Sequence, residues 1–67
     1  MHKWEYRVLL QMWDDEEHVY YWHEGEERYE RNVLQRLNDA GQEGWELVTI
    51  EPGPEQSINY FFKRPLA

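Results

Sequence analysis

From Lys3 to Trp13 the chain alternates, with Trp4, Tyr6, Val8, Leu10 and Met12 on one side and Glu5, Arg7 and Gln11 on the other. A period of two is that of a half-buried strand, so the pattern predicts a first strand here. The acidic cluster Asp14-Asp15-Glu16-Glu17 cannot continue the apolar series, and His18-Val19-Tyr20-Tyr21-Trp22-His23 resumes it as a β-branched and aromatic run. The two runs predict a hairpin turning near residues 14 to 17, without the Asn-Gly or Asp-Gly pair that marks a tight turn. Gly25 breaks the run, and Glu26 and Glu27 stand where negative charge favours a helix N-terminus. Tyr29, Val33, Leu37 and Ala40 then recur at helical spacing, Leu34 widens that face, and Glu27 and Arg31 fall at i,i+4. Gly41 is expected to take the left-handed conformation that ends the helix at about Ala40. Gly44 is expected to supply a second tight turn that swings Trp45 into the sheet over the helix end. Trp45 to Ile50 reads as a third strand and Ser57 to Arg64 as a fourth, joined by Pro52-Gly53-Pro54.

The pattern therefore predicts an α+β fold, ββαββ, with a single mostly antiparallel sheet and one helix packed on one face. The apolar set of the first strand, Trp4 to Met12, is expected to face that helix. Leu9, Trp13 and alternate members of Tyr20-Tyr21-Trp22 are then left on the uncovered side or its margin, because one helix covers one face of a sheet.

Composition sharpens this picture. The 67 residues suit one small domain, with a core near the lower limit for independent stability. There is no cysteine, which removes disulfides and thiolate metal sites, so the four Trp, five Tyr and two Phe must carry the burial, with or without association. Fourteen acidic against seven basic residues give a net charge of −7, which repels nucleic acid and anionic membrane alike. No apolar run is long enough to span a bilayer, and Met1-His2-Lys3-Trp4 leads directly into patterned sequence, so a cytoplasmic location is the expectation.

Candidate chemistry is sparse. His18 and His23 beside the four acids suggest a metal site, but five residues apart on a strand they point to opposite faces, and the acids lack the ordering of a calcium loop. No metal and no cofactor is expected. Ser57 and Thr49 are the only hydroxyl nucleophiles of their types, and Ser57 has no histidine on its own strand. Glu43 and Glu46 flank a turn, where carboxylates are usually exposed charge, and Gly41 and Gly44 follow a helix instead of leading into one as a phosphate loop does. No catalytic residue is assigned.

Several stretches carry a resemblance. Trp4-Glu5-Tyr6 at the opening, Leu37-Asn38, the block Ala40-Gly41-Gln42-Glu43-Gly44-Trp45-Glu46-Leu47-Val48, and the closing Phe62-Lys63-Arg64-Pro65 resemble the small bacterial proteins grouped as domain of unknown function DUF 4177. These anchors cover almost the whole chain, and the Glu43-to-Leu47 block is the most specific of them. The resemblance implies the fold and brings no activity, substrate or cofactor.

The functional expectation is a non-enzymatic interaction module, self-associating or protein-binding through an aromatic sheet face or an edge strand, with a two-fold homodimer favoured. Leu9, Trp13, Tyr20, Tyr21 and Trp22 are the interface candidates, and Gly41, Gly44 and Trp45 the structural turn. The competing bland reading lays the surplus rings under long cations such as Arg7 and Lys63. The alternative function is a ligand-binding or catalytic domain with a pocket between the helix and the aromatic hairpin.

Overall fold

The alternating segment at the start of the chain forms the longest strand, β1 (Trp4–Asp14), and the rest of the fold is arranged around it. The structure is a computed structural model that describes residues 2–66. After β1 come β2 (Val19–Glu24), β3 (Glu27–Tyr29), the helix α1 (Val33–Gln42), β4 (Glu46–Pro52) and β5 (Ile58–Pro65). All pairings are antiparallel, in the order β3-β2-β1-β5-β4, so β1 is the central strand of a single sheet. The fold is α+β as expected, but its order is βββαββ, with one strand more than the sequence pattern suggested.

The extra strand corrects the expected helix start. Gly25 has φ +57 and is the first residue of a two-residue loop between the paired Glu24 and Glu27, the position where a tight hairpin places glycine. Glu26 and Glu27 therefore belong to a turn and a strand, and Glu27 and Arg31 are not a helical pair. The helix begins instead at Asn32, whose Oδ1 accepts the N–H groups of Leu34 (2.9 Å) and Gln35 (3.4 Å) and satisfies two donors left free in the first turn.

The helix exit is corrected too. Gly41 lies within α1, and the left-handed residue is Gly44 at φ +89. The Gly44 N–H donates to the Gly41 carbonyl and the Trp45 N–H to the Ala40 carbonyl, both at 3.0 Å, the paired bonds of a Schellman closure. The turn after β1 is built by Asp14, whose Oδ1 accepts from the N–H groups of Glu16 (2.8 Å) and Glu17 (3.1 Å) while its carbonyl accepts from His18. His18 sits in that turn at φ +56 and is not a strand residue.

Cross-strand partners share a face of the sheet, so register assigns the faces. Gln11 pairs with Trp22, Leu9 with Tyr60 and Arg7 with Phe62. These odd-numbered positions of β1 lie under the helix, where Leu9, Trp22, Ala40, Tyr60 and Phe62 form the buried core, edged by Tyr29, Leu37, Trp45 and Ile58. The expectation that Trp4, Tyr6, Val8, Leu10 and Met12 face the helix is reversed. Alternation within one strand groups side chains but does not orient them, and here the rings contributed by β2 and β5 draw the odd set of β1 inward.

This covered face contains charge. Arg36 is buried on α1; its Nε–H donates to the Tyr29 hydroxyl (2.8 Å) and its Nη2 to Glu24 Oε1 (3.2 Å), while Tyr29 donates to Glu24 Oε2 (2.7 Å). Arg7 also pairs with Glu24 and lies 3.5 Å from Glu43 at the helix end. Burial pushes the Glu24 carboxyl up, but the Tyr29 hydrogen bond and the charges of Arg7 and Arg36 outweigh it and hold the carboxyl below its ordinary value. Gln11 is satisfied by the Tyr60 hydroxyl, which donates to its Oε1 at 2.8 Å, and the Trp22 indole N–H donates to the Arg31 carbonyl at 2.8 Å. These bonds tie the helix and its leading segment to the sheet at fixed points, so the short helix is anchored by polar pairing as much as by its apolar stripe.

Candidate functional site

With the odd positions of β1 under the helix, the even ones form the opposite face, which no element of the described chain covers. Trp4, Tyr6, Val8, Leu10 and Met12 run down its centre. Register adds Tyr21 and His23 from β2, Arg28 from β3, Asn59, Phe61 and Lys63 from β5, and Glu46, Thr49 and Glu51 from β4. Tyr6 is 71% exposed, Val8 51% and Trp4 40%, so the centre of this face is apolar and open to solvent. Side chains of this kind are ordinarily the inward half of a sheet.

Long cations partly cover the rings. The Lys63 ammonium lies 4.4 Å from the centroid of Trp4, and the Arg28 guanidinium 3.8 Å from that of Tyr21. Arg28 also pairs with the Asp14 carboxylate, and that hydrogen bond, with backbone donors from the turn, holds Asp14 below its ordinary pKa. These contacts shield the two ends of the face. They leave Tyr6 and Val8 bare at its middle.

The residues singled out as interface candidates are dispersed by the fold. Leu9 and Trp22 are each 1% exposed and belong to the core, so they form no surface. Tyr21 lies on the open face. Trp13 and Tyr20 are cross-strand partners on the helix side, beyond the reach of the helix, and pack edge to face at 4.9 Å. With Gln56, Ser57 and Ile58 they line a shallow cleft of about 540 Å³. The lining of this cleft comes from the hairpin and the β4–β5 turn, with no helix residue, so it is not the pocket expected between helix and hairpin. Trp45 packs at the core margin with Arg64 4.2 Å and Arg7 5.9 Å from its ring centroid.

Chemistry at these places is occupied by structure. The Ser57 hydroxyl donates to the Pro54 carbonyl at 2.6 Å, and the Trp13 indole N–H donates to Asp15 at 2.8 Å. Among the described residues no group of three or more His, Asp or Glu is placed to hold a metal ion, and no helix is long and apolar enough to cross a membrane.

The sheet edges differ from its open face. β4 is exposed along its whole length, yet it carries Glu46 and Glu51, a register shift between Leu47 and Thr49, and Pro52 at its end. Charge, irregularity and proline all discourage a further strand from pairing there, and the other edge, β3, is three residues long. No family model, no curated protein and no solved structure matches this chain.

Proposed function

We propose that this protein is a non-enzymatic interaction module that binds a protein surface, its own or another's, through the open face of its sheet. One observation carries the reading: a continuous apolar row, Trp4, Tyr6, Val8, Leu10 and Met12, lies on the side of the sheet away from the helix, with Tyr21 and Phe61 beside it. Exposed apolar area of this kind on a small domain marks a binding surface, and aromatic and methionine side chains are enriched at interface centres. The edge-strand route is the weaker of the two, given the charge, bulge and proline of β4. The resemblance to DUF 4177 proteins is part of this proposal and adds no activity to it.

The cleft lined by Trp13, Tyr20 and Ile58 supports a second reading, a small-ligand site, since an apolar concavity edged by Gln56 and Ser57 is the kind of place such ligands use. Oxidative footprinting separates the two. Protection of Trp4, Tyr6 and Tyr21 on raising the protein concentration or adding a partner, with the buried Tyr60 unchanged, supports the open-face module. Protection confined to Trp13 and Tyr20 on adding small metabolites supports the cleft, and reactive open-face rings under every condition would defeat the first reading.

A further inference from the structure

We propose that the open face is covered by a second copy of this chain, packed sheet on sheet about a two-fold axis that runs along β1. The proposal rests on the reading of that face as a binding surface and commits it to one partner and one register.

The sheet order makes such an axis natural. Because β1 is central in β3-β2-β1-β5-β4, a two-fold parallel to it sets the central row on itself, β2 on the partner's β5, and β3 on the partner's β4. The surface approaches the size needed: five strands about 4.8 Å apart and three to eleven residues long cover about 570 Å² in plan. Side-chain relief raises that toward the roughly 800 Å² per partner of a standard interface.

Charge favours a like partner. The face holds Asp14, Glu46 and Glu51 against Arg28 and Lys63, a balance of −1 in a chain of −7, so most of the acidity lies elsewhere. Two copies can therefore approach through this face with less repulsion than through any acidic surface.

The edges then choose the axis. Arg28 is aligned through His23 with Leu10, and Glu51 is aligned through Asn59 with the same Leu10, so the two charges stand at one height on opposite edges of the sheet. A two-fold along the strands preserves height and brings Arg28 to the partner's Glu51, once on each side of the dimer. The small rotation between aligned sheets is within the reach of these long side chains. Arg28 already holds Asp14, but a guanidinium has five donors and can serve both. Glu51 makes no ion pair among the described residues and is free to accept. A two-fold running across the strands would instead lay β4 on β4 and bring Glu46 toward the partner's Glu51, like charge on like.

Sedimentation equilibrium of the whole chain from micromolar to millimolar concentration tests this, with circular dichroism confirming that each variant is folded. The wild type is expected to be dimeric and Val8→Glu monomeric. Arg28→Glu and Glu51→Arg should each weaken association by about tenfold or more, and the double variant, which restores opposite charges across the interface, should recover most of it. Glu51→Arg is the cleaner single change, because it disturbs no ion pair within the chain. A dimer indifferent to Val8→Glu overturns this proposal and leaves the open-face reading to the footprinting test with another partner. A dimer that Val8→Glu dissociates but that shows no recovery in the double variant overturns the axis along β1 and leaves the open-face reading standing. A wild type monomeric up to millimolar concentration overturns the second copy as occupant.

Discussion

On the helix side of the sheet Leu9, Trp22 and Phe62 are buried to 1% exposure, whereas on the other side, one residue along the same central strand, Val8 is half in water and Tyr6 more so. The two faces carry similar amounts of apolar and aromatic material. They differ in what lies over them. Under the helix the polar groups pair internally, Glu24 with Arg7, Arg36 and Tyr29, and Gln11 with Tyr60, so that no buried side-chain nitrogen or oxygen among the described residues lacks a partner. On the open face, cations cap rings at the two ends and nothing caps the middle. A small domain thus buries most of one face and leaves the centre of the other in solvent, and the lesson is that burial here is decided by the covering element more than by composition.

The largest test of this contrast compares Trp22→Ala with Val8→Ala in urea denaturation at dilute protein. Loss of the buried ring is expected to cost about 3–5 kcal/mol. The open-face truncation should stay within about 0.5 kcal/mol, as surface changes do. Equal losses would reverse the assignment of the faces.

Next in size is the ionic anchor. Arg36→Met removes one partner of Glu24 while leaving Arg7, and is expected to cost about 2 kcal/mol at neutral pH. The folded-state pKa of Glu24 is depressed, so its contribution is present above the unfolded carboxylate value and is lost as pH falls through the folded one. Wild-type stability should therefore decline on acidification below about pH 4.3, and the gap between wild type and Arg36→Met should narrow there. A gap independent of pH would mean that Arg36 acts by packing alone.

A smaller pair of changes probes how the helix leaves the covered face. Gly44→Ala, at positive φ, should lose about 1 kcal/mol. Gly41→Ala, within the helix and with open space where the methyl would stand, should gain about 0.5–1 kcal/mol. Thermal melts that moved in the same direction would contradict the assigned exit. The smallest expected effect is on association: raising salt from about 0.05 M to about 0.5 M should strengthen it a few-fold by screening the net charge of −7, as sedimentation would show.

The alternation of β1, the two β-runs after the helix and the presence of one helix were legible in the sequence because each has a period long enough to count. The orientation of β1 was not, since both of its alternate sets carry large apolar residues, Leu9 and Trp13 on one side and Trp4 to Met12 on the other. Only the register with Trp22, Tyr60 and Phe62 selects between them, and register is a tertiary fact. β3 was missed because three residues show no alternation, and the acids beside Gly25 imitate a helix start. Asn32 directly before Val33 was the available signal for the true one. Once the helix starts there, Gly44 and not Gly41 falls at the exit. The candidate interface inherited the error in orientation: of its five residues only Tyr21 lies on the open face.

The edge formed by β4 bears on how far any assembly can grow. A sheet with a bare side has two routes to larger structures: lengthening, in which strands are added in its own plane, and layering. The shifted register, the flanking carboxylates and Pro52 close the first route along β4, and the three-residue β3 offers little at the other end. Layering would consume the bare side at the first step, and the outer surface of each layer is covered by its helix except around the cleft at Trp13 and Tyr20. In the proposed dimer, association through this sheet would stop at two copies, a closed alternative to the open-ended fibre that aromatic strands otherwise invite.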